Sequence, residues 1–231
     1  RAALQRPDLL GGRAPRTINM STIGDDLLRD SSVGFGPRFE ALVVDGRITA
    51  FVVDRTCPGF ATSNHIDKLG MRGSTMSELI FEDCRVPAAN LLGEIGSGLT
   101  HMMRNLEIER ITLAAMSLGM ARRCLDIMVR YSTERRSFGK PLAEQGVTRH
   151  WIAESRMEID QARLLTLHAA KMIDEVGTKA ARAEIAMIKV VAPNVACQVI
   201  DWASQAHGGA GVSDVTPLAE AKAEGTTSTT A

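Results

Sequence analysis

No excess of either charge marks this chain: 27 Lys and Arg stand against 27 Asp and Glu in 231 residues. That balance argues against a binder of nucleic acid or anionic membrane whose affinity comes from a basic face. Cysteine is scarce. Cys57, Cys84, Cys124 and Cys197 are widely spaced, with no CxxC pair and no accompanying histidine cluster. They read as reduced, mostly buried thiols in a reducing compartment. The five histidines show neither HxxxH spacing nor a nearby nucleophile pattern, which speaks against a metal centre or a catalytic triad. No uninterrupted apolar run reaches 18 residues, which excludes an ordinary membrane-spanning helix. The opening RAALQRPDLL has basic residues without an apolar h-region or cleavage site, so it does not read as a secretion signal. A first residue other than Met and the ending TTSTTA lead us to expect a piece, or the ordered part, of a longer protein.

What is present suffices for a core, since 45% of the residues are apolar, enough for one domain or two modest ones. Residues 1–39, with GG, APR and GFGPR, specify no definite element. From residue 40 the string EALVVDGRITAFVVD sets two β-rich runs around Asp45-Gly46, a dipeptide that tolerates the positive φ of a tight hairpin turn. In SELIFEDCRVP, Leu79, Phe81 and Cys84 are expected to face inward along one strand that Pro87 ends. Residues 40–95 therefore predict a small antiparallel β domain, in which KLGMRGS is a turn between strands.

Beyond Gly98 the apolar period lengthens to that of a helix. Leu99, Met102, Leu106, Leu113, Met116, Leu118, Leu125 and Met128 recur on a first helix ending near Glu134–Arg136. A second is expected over 142–175, closed by Gly177, and a third over 179–207, stopped by Gly208-Gly209. Pro193 should kink the third or leave a carbonyl unpaired. The fold class is thus α+β: a β domain, then a C-terminal long-helix bundle over 96–231, each apolar stripe buried against its neighbours.

Three places carry possible chemistry. Arg135 and Arg136 follow a long helix, where they either cap its C-terminus or grip a pyrophosphate through parallel hydrogen bonds. HGGAG is either a helix stop or backbone bared to a phosphate or adenine; it follows a helix, so a Rossmann-type fingerprint is not indicated. Glu107 and Glu109 stand about 200° apart on their helix and cannot face one pocket. Glu109 lies between Leu106 and Leu113, so it is expected beside a buried stripe with a raised pKa, as a general base requires, or else paired with Arg110 or a neighbouring helix. Glu107 reads as the ordinary surface residue.

Three separated strings, KLGMRGSTMSELIFEDCRVPAANLLGE, RRSFGKPLAE and QAHGGAGV, resemble the acyl-CoA dehydrogenase family, and the resemblance extends over about residues 48–222. The middle region looks like the isovaleryl and branched-chain enzymes. HWIAESR and AEIAMIKVVAP look more like the subgroup of acyl-CoA dehydrogenase family members 10 and 11. The resemblance implies a helical N-terminal domain, a middle β domain and a C-terminal four-helix bundle, of which this chain resembles the last two.

It also implies FAD as cofactor, with Arg135 contacting the dinucleotide and Phe138 packing against it. Gln205, Gly208 and Gly209 match residues that lie against the cofactor of a neighbouring subunit, which implies a homodimer or homotetramer. Two family solutions for the catalytic base have counterparts. Glu109 matches the glutamate of an LER context on the first bundle helix, and Glu224 that of an EGT string near the C-terminus. Only Ala223 separates Glu224 from Glu220-Ala221-Lys222, where the family has four residues, and nothing after Thr226 is expected to form a terminal helix. Glu109 therefore ranks first. Arg110 matches a residue near the thioester and CoA. The implied reaction is oxidation of an acyl-CoA to the trans-2,3-enoyl-CoA in fatty-acid or branched-chain amino-acid catabolism. Electrons would pass to an electron-transfer flavoprotein, in the bacterial cytoplasm or mitochondrial matrix. The alternative is a catalytically inactive helical scaffold or oligomerisation module of the same fold.

Overall fold

The computed structural model describes residues 17–19, 38–44 and 47–230, with side chains from 47 to 226. It divides into two compact units. One takes the described chain up to Lys68 and Arg72–Arg104; the other takes Leu69–Met71 and everything from Asn105 onward.

The first unit is built from short strands. They are β1 (Thr17–Asn19), β2 (Arg38–Val44), β3 (Arg47–Val53), β4 (Phe60–Thr62), β5 (Leu79–Phe81), β6 (Arg85–Pro87) and β7 (Leu91–Leu92). β2 and β3 pair antiparallel with Val44 opposite Arg47. This leaves a two-residue connection, as the turn chemistry of Asp45-Gly46 predicts; those two residues lie outside the described ones. β3 is the central strand of the β2-β3-β7 sheet, so Thr49, Ala50, Phe51 and Val53 are all buried rather than alternating. The SELIFEDCRVP segment departs from expectation. It forms two strands in different sheets, β5 paired with β4 and β6 paired with β1. Asp83 between them takes φ 47°, which breaks the pleat and turns Cys84 and Val86, rather than Phe81, fully inward beside Phe51 and Val53.

The second unit is helical. α1 (Gly98–Glu134) enters it at Asn105, followed by the small hairpin β8 (Arg136–Ser137) and β9 (Lys140–Pro141) and then α2 (Gly146–Val176), α3 (Arg182–His207) and α4 (Leu218–Thr230). Gly177, at φ 82°, ends α2, and only residues 177–181 link it to α3, so the two helices run antiparallel. α3 passes through Pro193 without a break, and the ring is buried. α4 corrects one expectation: the chain after Thr226 continues as helix to Thr230.

The core explains which faces turn in. Ala114 and Leu118 of α1 meet Ala162 and Ala169 of α2 and Ile188 and Ala192 of α3. Further along, Ala121, Leu125 and Met128 meet Ile159, Ala196, Val199, Ala203 and Leu218 of α4. Alanines at these contacts let helices approach closely, and the two clusters show α1 and α3 running in the same direction. α1 carries a second apolar stripe, however, and this one is not buried as expected: Leu99, Met102, Leu106 and Met116 remain 37–52% exposed.

By length and hydropathy, Arg182–Val212 is long and apolar enough to cross a membrane, which corrects the expectation drawn from uninterrupted apolar runs. Lys189 and Asp201 break that run. In the fold, Ile188, Ala192, Ala196, Val199 and Ala203 are occupied by the bundle core.

Met128 is fully buried, whereas Met157 on α2 is 48% exposed. Met128→Ala is expected to cost about 2–5 kcal/mol of unfolding free energy in a denaturant titration, through lost transfer energy plus a cavity. Met157→Ala should stay within about 0.5 kcal/mol. Equal losses would contradict the assigned core.

Candidate functional site

α1 carries both glutamates, and its packing places them differently from the sequence reading. Glu107 extends the buried stripe of Ala114, Leu118, Ala121 and Leu125, and it is only 7% exposed. Glu109 is exposed. The reason is angular: the buried face is centred roughly 130° around the helix from the line through Met102, Leu106, Glu109, Leu113 and Met116. The stripe that flanks Glu109 is apolar, as the sequence shows, but this chain leaves it open. The bundle therefore does not cover Glu109. Asn105, one turn earlier, donates from Nδ2 to Glu109 Oε1 at 2.5 Å, which holds one carboxylate oxygen. Arg110 is half-buried beside it.

Glu224 sits elsewhere. It is half-buried on α4, whose Gly225 packs against Ile200 and Cys197 of α3 and whose Lys222 donates to Asp201 Oδ1 at 2.9 Å. This is the level of Ala121 and Leu125 on α1, about 20 Å along the bundle from Glu109 at the helical rise of about 1.5 Å per residue. The two glutamates do not share a pocket within one copy.

The RRSFG and HGGAG strings, 70 residues apart in sequence, are brought to one end of the bundle. Tyr131, in the last turn of α1, stacks on His207, the last residue of α3, with ring centroids 3.9 Å apart and planes 22° from parallel. The ring's Nδ1 donates to the Ala203 carbonyl at 2.8 Å. Since a carbonyl only accepts, a proton sits on Nδ1. A cleft of about 820 Å³ opens here, lined in part by Arg122, Arg130, Tyr131, His207 and Thr216. Nothing in the spacing of the sequence announces this stack; the only available hint is a ring close to each helix stop, Tyr131 just ahead of RRSFG and His207 at the head of HGGAG.

The two arginines separate. Arg136 donates from Nη2 to Gly139 O at 3.2 Å and so closes its own hairpin. Arg135 is tied down by backbone alone, its N–H donating to Tyr131 O at 2.8 Å and its carbonyl accepting from Leu142 N–H at 2.9 Å. Its side chain is exposed. At the hairpin tip Phe138 takes φ 53° and Gly139 φ 83°, the double positive φ of a tight hairpin turn. This presents the Phe138 ring to solvent at 97% exposure, a costly arrangement for which the described fold offers no return.

The glycines separate as well. A Cβ at Gly211 would run into the Ser204 carbonyl, so that glycine serves helix packing. Gly208, at φ 60° and ψ −135°, holds a conformation that side chains resist. A Cβ at Gly209 would meet open space, and its φ is not positive. The bundle itself has no use for a bare backbone there. Gln205 is exposed on the same turn.

Residues 96–226 match the family model described as acyl-CoA dehydrogenase, C-terminal domain. The chain is 56% identical over 142 residues to a probable acyl-CoA dehydrogenase, FadE2, of Mycobacterium tuberculosis, covering 62% of this chain and 35% of that protein. It is 49% identical over 142 residues to acyl-CoA dehydrogenase family member 11 of Rattus norvegicus, with 62% and 18% covered. It is 37% identical over 185 residues to mitochondrial isovaleryl-CoA dehydrogenase of Oryza sativa, with 76% and 45% covered. Among solved structures, an acyl-CoA dehydrogenase of Bacillus anthracis, complexed with FAD, superimposes with a TM-score of 0.74 at 27% identity, over 82% of this chain and 36% of that one. The chain thus spans less than half the length of each of these proteins. The family match over more than half of the chain, together with the four-helix bundle, establishes that it belongs to the acyl-CoA dehydrogenase family.

Proposed function

We propose that the protein catalyses FAD-dependent α,β-dehydrogenation of an acyl-CoA thioester to the trans-2,3-enoyl-CoA and passes the electrons to an electron-transfer flavoprotein. The observation that carries the reading is the meeting of the two cofactor strings at the Tyr131–His207 stack. These residues fit a flavin dinucleotide. Arg135 offers an open guanidinium for phosphate, Phe138 an uncovered ring for stacking, and Gly208-Gly209 a backbone that a ligand can approach with no side chain in the way. When bound, FAD supplies the two-electron oxidation by accepting hydride from the substrate's β-carbon.

The chain's own part is the proton. Oε2 of Glu109 takes the α-proton of the thioester while the Asn105 amide fixes Oε1. An acyl chain lying along Leu106, Leu113 and Met116 displaces water from around the carboxylate. That exclusion of water is supplied by substrate rather than by the fold. Arg110, half-buried next to Glu109, orients the thioester and CoA.

Glu109 lies 22 residues before Tyr131 on one continuous helix, about 33 Å away at about 1.5 Å per residue. No side chain spans that distance. Base and cofactor strings of one copy sit at opposite ends of the bundle, which supports a site shared between at least two copies of a homodimer or homotetramer.

Glu109→Gln is expected to keep FAD and acyl-CoA binding and to slow flavin reduction at least a hundredfold in anaerobic stopped flow, equivalent to about 2.7 kcal/mol of barrier. Glu224→Gln should leave the rate within a few-fold. The reverse pattern would transfer the role to the EGT string.

Arg135→Ala is expected to weaken FAD retention at least tenfold, read as flavin released on gel filtration, because phosphate loses its charged partner. Arg136→Ala, which removes only the contact to Gly139, should retain the cofactor. Unchanged retention in Arg135→Ala would remove the role assigned here.

A further inference from the structure

Cys57 and Cys84 are 27 residues apart in sequence, yet Cys84 Sγ lies 3.4 Å from Cys57 Sγ. Cys57 follows β3 in a turn pinned by its own N–H to the Asp54 carbonyl at 3.0 Å, and its carbonyl accepts from Phe60 N–H at 3.1 Å. Cys84 follows the break at Asp83. The two segments are held face to face: Glu82 N–H donates to Gly59 O at 2.8 Å, and a Cβ at Gly59 would collide with the Glu82 carbonyl. Neither thiol can drift from the other without breaking this contact. The pair is asymmetric in access. Cys84 is fully buried among Phe51, Val53 and Val86, whereas Cys57 is half-buried and its thiol reaches the Arg85 carbonyl at 3.4 Å.

We propose that Cys57 and Cys84 form a reversible redox pair, a site of oxidative modification in the β unit that a hydroperoxide converts to a disulfide. Cys57, the accessible partner, attacks the peroxide: its sulfur takes one oxygen to become a sulfenic acid, the O–O bond breaks, and the alcohol or water leaves with the thiol proton. Cys84 sulfur then attacks Cys57 sulfur, the S–O bond breaks, and the hydroxyl leaves as water with the Cys84 proton. In sum, two thiols lose two electrons and two protons, and the peroxide is reduced to an alcohol and water, or to two waters. Burial, and then the neighbouring Cys57, push the Cys84 thiol up to about 12, which makes it a poor first attacker of peroxide; its place 3.4 Å from Cys57 Sγ gives it the resolving role. The covalent S–S length is about 2.0 Å, so closure needs side-chain rotation and a small approach of two turns already in contact. In a reducing compartment such a pair rests as thiols and closes under oxidant.

The test treats the intact protein with graded hydrogen peroxide, blocks remaining thiols, and maps peptides by mass without reduction. The expected result is a linked pair of peptides containing Cys57 and Cys84, two hydrogen masses lighter than the thiols. It should form before Cys124 or Cys197 reacts, be reversed by dithiothreitol, and raise the melting temperature. Cys57→Ser, at the half-exposed position, should abolish both the link and the melting shift while leaving the Cys84 thiol unmodified. Accumulation of Cys57 sulfinic acid beside a free Cys84 thiol, or earlier oxidation of Cys197, would overturn the proposal; both are read on the wild-type protein and depend on no variant.

Discussion

The rotation of α1 about its own axis is the constraint on which the rest depends. Two apolar stripes run along this helix, and only one can face α2 and α3. The close fit of Ala114, Leu118, Ala121, Leu125 and Met128 against the alanines of α2 and α3 decides the choice. A bundle whose contacts are largely alanine has little room for Met102 or Leu106 in their place, since overpacking a tight core carries its own penalty. Fixing that rotation turns Glu107 inward and Glu109 outward, and lays an apolar track along the outside of the helix with a carboxylate at its centre.

The same packing sets what happens at the far end. Because α1 and α3 run in the same direction and in step, their C-termini arrive together and Tyr131 can stack on His207. The hairpin carrying Arg135 and Phe138 and the turn carrying Gly208 and Gly209 leave the bundle at that end. A straight, rigid helix separates this cluster from Glu109. On the proposed function, that distance favours a site assembled between copies, with each copy lending Glu109 to one site and Arg135 to another.

Local signals were the legible ones. The antiparallel pairing of β2 with β3 and the helix ends at Gly177 and Gly208 depend on a few adjacent residues and stand where turn chemistry puts them. The family strings likewise carry over because short stretches hold them. The facing of the glutamates was not legible: both stripes of α1 satisfy a 3.6-residue period, and only the partners on α2 and α3 show which is covered. Nor did alternation along SELIFEDCRVP reveal the break at Asp83, where one residue at positive φ sends the two halves to different sheets. The Cys57–Cys84 contact follows from that break and from the packing of Gly59 on Glu82, so the wide spacing that read as isolated thiols conceals a pair.

The central claim is that the base of one copy serves the cofactor strings of another. Mixing copies tests it: Glu109→Gln chains, slow in flavin reduction, and Arg135→Ala chains, poor in FAD retention, are co-refolded or co-expressed and assayed for acyl-CoA-dependent flavin reduction. A mixed pair then contains one site with a wild-type Glu109 facing a wild-type Arg135, so the account predicts recovered activity that rises with the fraction of mixed assemblies. No recovery in verified mixed assemblies would place both residues in a site within a single copy and contradict the account.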